Sequence, residues 1–217
     1  AVPERNGAGR GMSGGTILRS GAAALGLELT TEQVARLERL LALLAKWNRT
    51  YNLTAIRGEP DMVTHHLLDS MSVAPCLGDA RTLADVGSGA GFPGLVLAVL
   101  RPDLRIVSIE AIQKKVAFQQ QARIELHLTN VEVVCSRAER VHRVFDAVIS
   151  RAFASLADFV RLAGGLVAGK GRLLAMKGAY PADELSALPP GWRLVAGHPL
   201  AVPGLAAERH LIILERS

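Results

Sequence analysis

The stretch "DVGSGAGFPG", Asp85 to Gly94, carries two overlapping glycine patterns and decides how this 217-residue chain is read. Gly89, Gly91 and Gly94 spell G-x-G-x-x-G, the spacing that lets a backbone turn tightly and come close to a pyrophosphate. Gly87, Gly89 and Gly91 alternate, with an acid, Asp85, two residues ahead of the first. Before the loop lies the β-rich run "TLADV", and after it the helix-length run "PGLVLAVL". Pro93 suits a first helical turn, and the N–H groups at a helix start favour an anionic group. A glycine loop between a strand and a helix is expected to bind a ligand.

Downstream, the same rhythm continues. "LRIVSIE", "VEVVC", "FDAVIS" and "GRLLAMK" alternate with helix-length segments such as "IQKKVAFQQQARIELHL" and "LADFVRLAGGLVA". Strand–helix alternation predicts an α/β fold, a parallel sheet with helices on both faces. The end breaks the pattern: "WRLVAGHPL" and "RHLIILER" are strands with no full helix between them, so a closing antiparallel hairpin is expected. A mostly parallel seven-stranded sheet with that hairpin is the Rossmann-like plan of S-adenosylmethionine-dependent methyltransferases, not the all-parallel dinucleotide plan.

Upstream, the chain reads as helices. Val34, Leu37, Leu40, Leu41, Leu44 and Trp47 recur every three or four residues on one helical face, with Thr30 or Thr31 as its cap. A second helix is expected from Pro60 or Asp61 to about Val73, stopped by Pro75. This gives a helical extension over 16–80 and a methyltransferase domain over 81–217. Residues 1–15 are expected to be a disordered arm or a non-native remnant, the stretch before Met12 being left out of fold reasoning.

Composition narrows the class. The chain is 49% hydrophobic and 21% charged, enough to bury a core. No apolar run approaches the roughly 18 residues that span a bilayer, so no membrane is expected. Cys76 and Cys135 lack metal-type spacing and suit a reducing cytoplasm. Residues 1–80 carry eight basic and eight acidic residues; 81–217 carry seventeen and twelve, hence the whole net charge of +5. A basic catalytic region points to a polyanionic partner such as RNA, with surface charge the plainer alternative.

Glu110 closes the second strand, twenty-one residues after Gly89. An acid there accepts hydrogen bonds from ribose hydroxyls, which both NAD and S-adenosylmethionine possess. Asp85 favours the methyl donor: a charge before the first glycine must meet backbone N–H groups or a ligand's amino group. Ala138 and Glu139, after the third strand, are placed to meet an adenine edge. An NAD-dependent oxidoreductase remains the alternative from another class.

The fourth strand ends in "SRAF", Ser150 to Phe153, which is not the Asn/Asp-Pro-Pro-aromatic motif of amine methylation. Carbon methylation of pyrimidines needs a cysteine nucleophile; Cys76 precedes the cofactor loop, and both cysteines read as small apolar residues. What remains is an acceptor needing no protein nucleophile, such as guanine N7, where positioning suffices. No catalytic residue is named, but Arg151 and Lys177 lie at strand ends and are candidates for positioning guanine.

The ordered set "YNLTAI" (Tyr51–Ile56), "HHLLDS" (His65–Ser70), "DVGSGAGFPG", "SRAFASL" (Ser150–Leu156), "MKG" (Met176–Gly178) and "AERHLIIL" (Ala207–Leu214) resembles the bacterial 16S ribosomal RNA guanine-N7 methyltransferase family over about residues 16–216. The resemblance implies S-adenosyl-L-methionine as cofactor and a guanine of the small ribosomal subunit as substrate. Carried over by position, it implies cofactor contacts at Gly87, Phe92, Ala138, Glu139 and Arg151, to which geometry adds Asp85, Gly89, Gly91 and Glu110. Related chains often carry Asp at Glu110. Lys114, Lys177, Arg209 and His210 are RNA-binding candidates. Asn52, His65, His66 and Asp69 form a polar cluster read first as structural hydrogen bonding, then as RNA or lid contact, and last as a metal site. A monomer is the default. A ribosome-assembly factor that keeps the fold without turnover, or a small-molecule methyltransferase, would share these features.

Overall fold

The structure, a computed structural model, describes residues 13–151, 153 and 155–217. Residues 1–12 of the arm expected over 1–15, and Ala152 and Ala154 of the "SRAFASL" motif, lie outside them; residues 13–15 are instead the cap and first turn of a helix.

Helix α1 (Gly14–Ala24) is the first element of the described residues, its first turn capped by Ser13, whose hydroxyl accepts the Thr16 N–H at 3.3 Å. Helix α2 (Thr31–Tyr51) begins with a capping box. Gln33 N–H donates to Thr30 Oγ1 at 3.1 Å, and Thr30 N–H returns to Gln33 Oε1 at 2.9 Å. Its Leu37, Leu40 and Leu44 are completely buried, each contributing about 1.5–3 kcal/mol relative to exposure. Asn52, in the left-handed region (φ 47°), ends it.

The second expected helix is present but irregular. Helix α3 runs over 59–71 as an α turn (Glu59–Met62), a π segment (Val63–Leu68) and a last α turn (Asp69–Met71). In the π segment the Asp69 N–H reaches back to the Thr64 carbonyl, one residue further than in an α-helix. Apolar spacing alone predicts a regular helix, and the π segment departs from it.

The sheet follows in chain order. It comprises β1 (Thr82–Val86), β2 (Arg105–Glu110), β3 (Val131–Cys135), β4 (Phe145–Ser150), β5 (Val167–Lys177), β6 (Trp192–Pro199) and β7 (His210–Arg216). Between them run α4 (Gly94–Leu100), α5 (Gln113–Glu125), α6 (Leu156–Ala163) and the single-turn α7 (Ala182–Ser186). The strand order is β3-β2-β1-β4-β5-β7-β6. β1 to β5 pair in parallel, while β7 inserts antiparallel between β5 and β6, as the closing hairpin predicts.

Alternation along the strands splits the core between the two faces. Leu83, Ile106, Ala147, Leu174 and Ile213 pack towards α1–α5, and Ala84, Val107, Val148, Leu173 and Ile212 towards α6. Helix α6 is shorter than "LADFVRLAGGLVA" suggests. It stops at Ala163, where Gly164 and Gly165 interrupt it, and β5 takes over from Val167. Between β1 and β4 the strand order reverses, and at such a switch point the carboxyl ends of the strands open a crevice.

Candidate cofactor and acceptor site

The loop after β1 is built from backbone that only glycine adopts cheaply. Gly87, Gly89 and Gly91 have φ of 66°, 60° and 89°. A Cβ on Gly94 would lie 2.7 Å from Asp85 Oδ2, whereas one on Gly89 would meet nothing within 4 Å. The protein therefore fills the space behind the loop and leaves it open in front of Gly89.

Asp85 fills the space behind. It is completely buried, and its Oδ2 accepts the Gly94 N–H at 2.7 Å. Desolvation pushes its carboxyl up to about 7, against the pull of that hydrogen bond and of Arg151. Asp85 takes one N–H at the start of α4, that of Gly94, and Pro93 is the cap, with the helix starting at Gly94. Of the two partners expected for Asp85, the backbone N–H meets its Oδ2, while its Oδ1 is buried with no hydrogen-bond partner among the described residues.

Glu110 reaches the loop from β2. Its Oε2 accepts the Gly89 N–H at 2.8 Å and its Oε1 the Ile112 N–H at 2.9 Å. Gln119, on α5, completes the frame from within the core. Its Nε2 donates to Ser88 Oγ and to the Gly89 carbonyl, both at 2.8 Å, and its Oε1 accepts from Ser108 Oγ at 2.5 Å. In front lies a cleft of about 440 Å³ lined by Gly87, Glu110, Ser136, Ala138, Glu139 and Phe153, among others. Gly87, Glu110, Ala138 and Glu139, far apart in sequence, come together here.

A second cavity, about 410 Å³, opens beside it at the ends of β4 and β5 and the start of β7. Its walls include His65, His66, Asp69, Arg151, Lys177 and Arg209. Arg151 Nη1 donates to the His65 carbonyl (3.1 Å) and to Asp69 Oδ2 (3.0 Å), and its guanidinium lies 6.0 Å from the Phe92 ring centre. Arg209 Nε donates to Asp69 Oδ1 at 3.2 Å. Lys177 is not simply solvated: its Nζ pairs with Glu184 at 2.9 Å. The His66 ring stacks on Phe92, 4.6 Å between centres, and its Nε2 meets Thr54 Oγ1 at 3.0 Å. Burial, followed by the charges of Arg151 and His65, pushes His66 down to about 4, so the ring is neutral at pH 7.

A family model described as GidB, rRNA small subunit methyltransferase G, matches residues 33–212. The chain belongs to this family. A ribosomal RNA small subunit methyltransferase G from Aromatoleum aromaticum is 57% identical over 206 residues, covering 92% of this chain and 98% of its own. Another, from Azoarcus sp., is 54% identical over 201 residues, covering 92% and 95%. In fold, the chain is similar to TrmN from Thermus thermophilus (TM-score 0.57, 19% identity, 71% of this chain and 53% of that one). It is also similar to a SAM-dependent methyltransferase from Aquifex aeolicus (TM-score 0.55, 17% identity, 71% and 93%). The fold is that of a Rossmann-like S-adenosylmethionine-dependent methyltransferase.

Other candidates of this family member are placed differently from one another. Phe92 is buried against His66, and Arg151 lines the second cavity. Lys114 Nζ donates to the Tyr51 carbonyl at 2.8 Å, tying the end of α2 to the sheet domain. His210 donates from Nδ1 to the Gly178 carbonyl at 2.7 Å, with Tyr180 edge-on at 5.6 Å. Asn52 parts from His65, His66 and Asp69 and accepts from Arg57 at 3.3 Å. Among the described residues no group of three His, Cys, Asp or Glu could hold a metal, and no helix is long and apolar enough to cross a membrane. Sequence reading missed Gln119, whose only signal is a polar residue on the buried face of a helix, and the joint role of Asp69.

Proposed function

We propose that this protein transfers a methyl group to N7 of a guanine in 16S ribosomal RNA. S-adenosyl-L-methionine is the donor; when bound it supplies an electrophilic methyl carbon on a sulfonium. The chain's residues fit it: open space before Gly89, an acid ending β2, and a cleft edged by Ala138 and Glu139. In this reading Gly87, Gly89 and Gly91 give the main chain its close approach to the cofactor. Glu110 takes the ribose hydroxyls with its remaining lone pairs, and Ala138 and Glu139 flank the adenine. Asp85 acts through the loop it props.

The observation that carries the acceptor side is the basic cavity next to that cleft. Arg151, Arg209 and Lys177 project from three strand ends into one space, against the carboxylates of Asp69 and Glu184. N–H donors of that kind suit O6 of guanine and phosphate oxygens. Neither cysteine lines it: Cys135 ends β3, and Cys76 lies after α3. An in-plane lone pair such as that of N7 carries no proton, so no general base has to remove one; holding the base in line is the enzyme's task. His210 and Arg209 lie on the RNA side of the rim. Both cysteines are free, in keeping with work in a reducing cytoplasm.

The test is transfer from labelled S-adenosylmethionine to unmodified 16S RNA and to small subunits, followed by nucleoside mass spectrometry. 7-Methylguanosine is the expected product. Cofactor binding without any methylated nucleoside would leave a non-catalytic RNA-binding protein, and a different methylated nucleoside would move the target atom.

A further inference from the structure

We infer that Asp69 is a positioning residue of the acceptor cavity, setting the spacing and the direction of the Arg151 and Arg209 guanidiniums that meet the nucleotide. The inference rests on the function proposed above and names the device that orders its basic wall.

Asp69 is nearly sealed, with 2% of its side chain exposed, and each of its carboxylate oxygens takes a different arginine. Oδ2 accepts from Arg151, 82 residues away at the end of β4, and Oδ1 from Arg209, 140 residues away at the head of β7. One carboxylate therefore spans two strand ends separated by β5. Each arginine has one further anchor on the main chain, Arg151 to the His65 carbonyl and Arg209 to the Glu208 carbonyl. A guanidinium has five N–H donors in a fixed plane. Those anchors use a minority of them, and about 30% of each side chain remains exposed in the cavity (32% and 27%). Fixing one edge of such a fork aims the other.

The backbone supports the same function. The π segment ends at Leu68, immediately before Asp69, and its wider turn brings the His65 carbonyl and the Asp69 carboxylate, four residues apart, onto a single nitrogen of Arg151. Such segments are rare in helices and occur frequently at functional sites. Stability is a poor reason for the arrangement. A buried ion pair roughly breaks even against an apolar replacement once desolvation is counted. Two cations around one buried carboxylate, with Lys177 on Glu184 alongside, leave the cavity with net positive charge for an electron-rich ligand.

The experiment compares wild type, Asp69→Asn, Arg209→Ala and the double variant. It measures kcat and KM for methyl transfer to the RNA or subunit that wild type accepts, and S-adenosylhomocysteine binding by calorimetry. Asp69→Asn, which turns one acceptor into a donor, is expected to lower kcat/KM about 10- to 100-fold, since an error near 1 Å in positioning costs that much. Cofactor-product binding is expected to stay within about threefold, and the double variant to be no worse than the worse single, because both remove one device. A kcat/KM within about twofold of wild type overturns the inference, as do additive losses or an equal loss of cofactor-product binding. If Asp69→Asn does not fold, Arg209→Lys carries the test. It keeps the charge without the planar fork, is expected to cost about tenfold in kcat/KM, and overturns the inference if it costs less than about twofold. Failure of wild type to methylate any small-subunit RNA instead overturns the proposed function, and this inference falls with it.

Discussion

The two cavities at the carboxyl rim of the sheet are made of different materials. The cofactor cleft is edged by main chain: Gly87 lines it at the head of a loop with three positive-φ glycines, an acid is buried behind that loop, and Glu110 holds two N–H groups from the end of β2. The acceptor cavity is shaped by side-chain charge, with Arg151, Lys177 and Arg209 each tied to a carboxylate. A backbone-built site fits one ligand class, because its dimensions follow from φ and ψ and from what a Cβ would displace. A charge-built site is ordered only while its counter-ions stay in place. The first is therefore expected to break through small steric changes, and the second through loss of a partner.

The sharpest test of the contrast is Gly94→Ala. The new Cβ would lie 2.7 Å from Asp85 Oδ2 and displace the buried carboxylate from the helix start. Stability is expected to fall by about 2–4 kcal/mol and cofactor binding by more than about 100-fold. Denaturant unfolding and calorimetry measure the two, and wild-type values in both would show that the loop tolerates what its geometry forbids.

His66 lines the acceptor cavity, and its effect has a definite sign. Its folded pKa, about 4, is below the ordinary 6.5, so between these values the unfolded chain binds more protons than the native one. Its contribution is present above about pH 6.5 and is lost as pH falls towards 4, to a total of about 3 kcal/mol. Urea unfolding from pH 4 to 7.5 measures it. The slope should flatten in His66→Gln, and an unchanged slope would remove His66 as its source.

Glu110→Ala removes the acid that props Gly89 and reaches the cofactor side. The loss of a charge-assisted hydrogen bond, about 1.5–3 kcal/mol, weakens S-adenosylhomocysteine binding roughly 10- to 150-fold. A change below about threefold would take Glu110 out of the site. Lys114→Met is expected to have the smallest effect. It removes the bond to the Tyr51 carbonyl for about 0.5–1 kcal/mol of stability and leaves KM for RNA unchanged. A rise in that KM would return Lys114 to the RNA surface.

Legibility in the sequence follows the same division. The strands, the glycine loop and Glu110 could be read because each depends on residues close in the chain: alternation, positive-φ glycines, an acid at a strand end. Gln119 was invisible, since a glutamine within "VAFQQQA" acquires meaning only when its helix sets it against Ser88, Gly89 and Ser108. The π segment is hidden for a similar reason: apolar spacing over "VTHHLL" fits an ordinary helix, and its His65 carbonyl meets Arg151, more than eighty residues on, only in the folded chain. Lys177 and Lys114 were readable as cations but not as partners of Glu184 and of the Tyr51 carbonyl.

By itself, then, the sequence determined what is local: the α/β alternation, the cofactor loop with its acids, the terminal hairpin and the excess of positive charge after residue 80. Tertiary structure alone decided which charges face one another. It made Asp69 the shared counter-ion of two arginines, buried Phe92 under His66 and spent the first amide of α4 on Asp85. The physical reason is range. Backbone preference and periodicity are set within a few residues, whereas a carboxylate's partners depend on which strand ends the sheet brings to one rim.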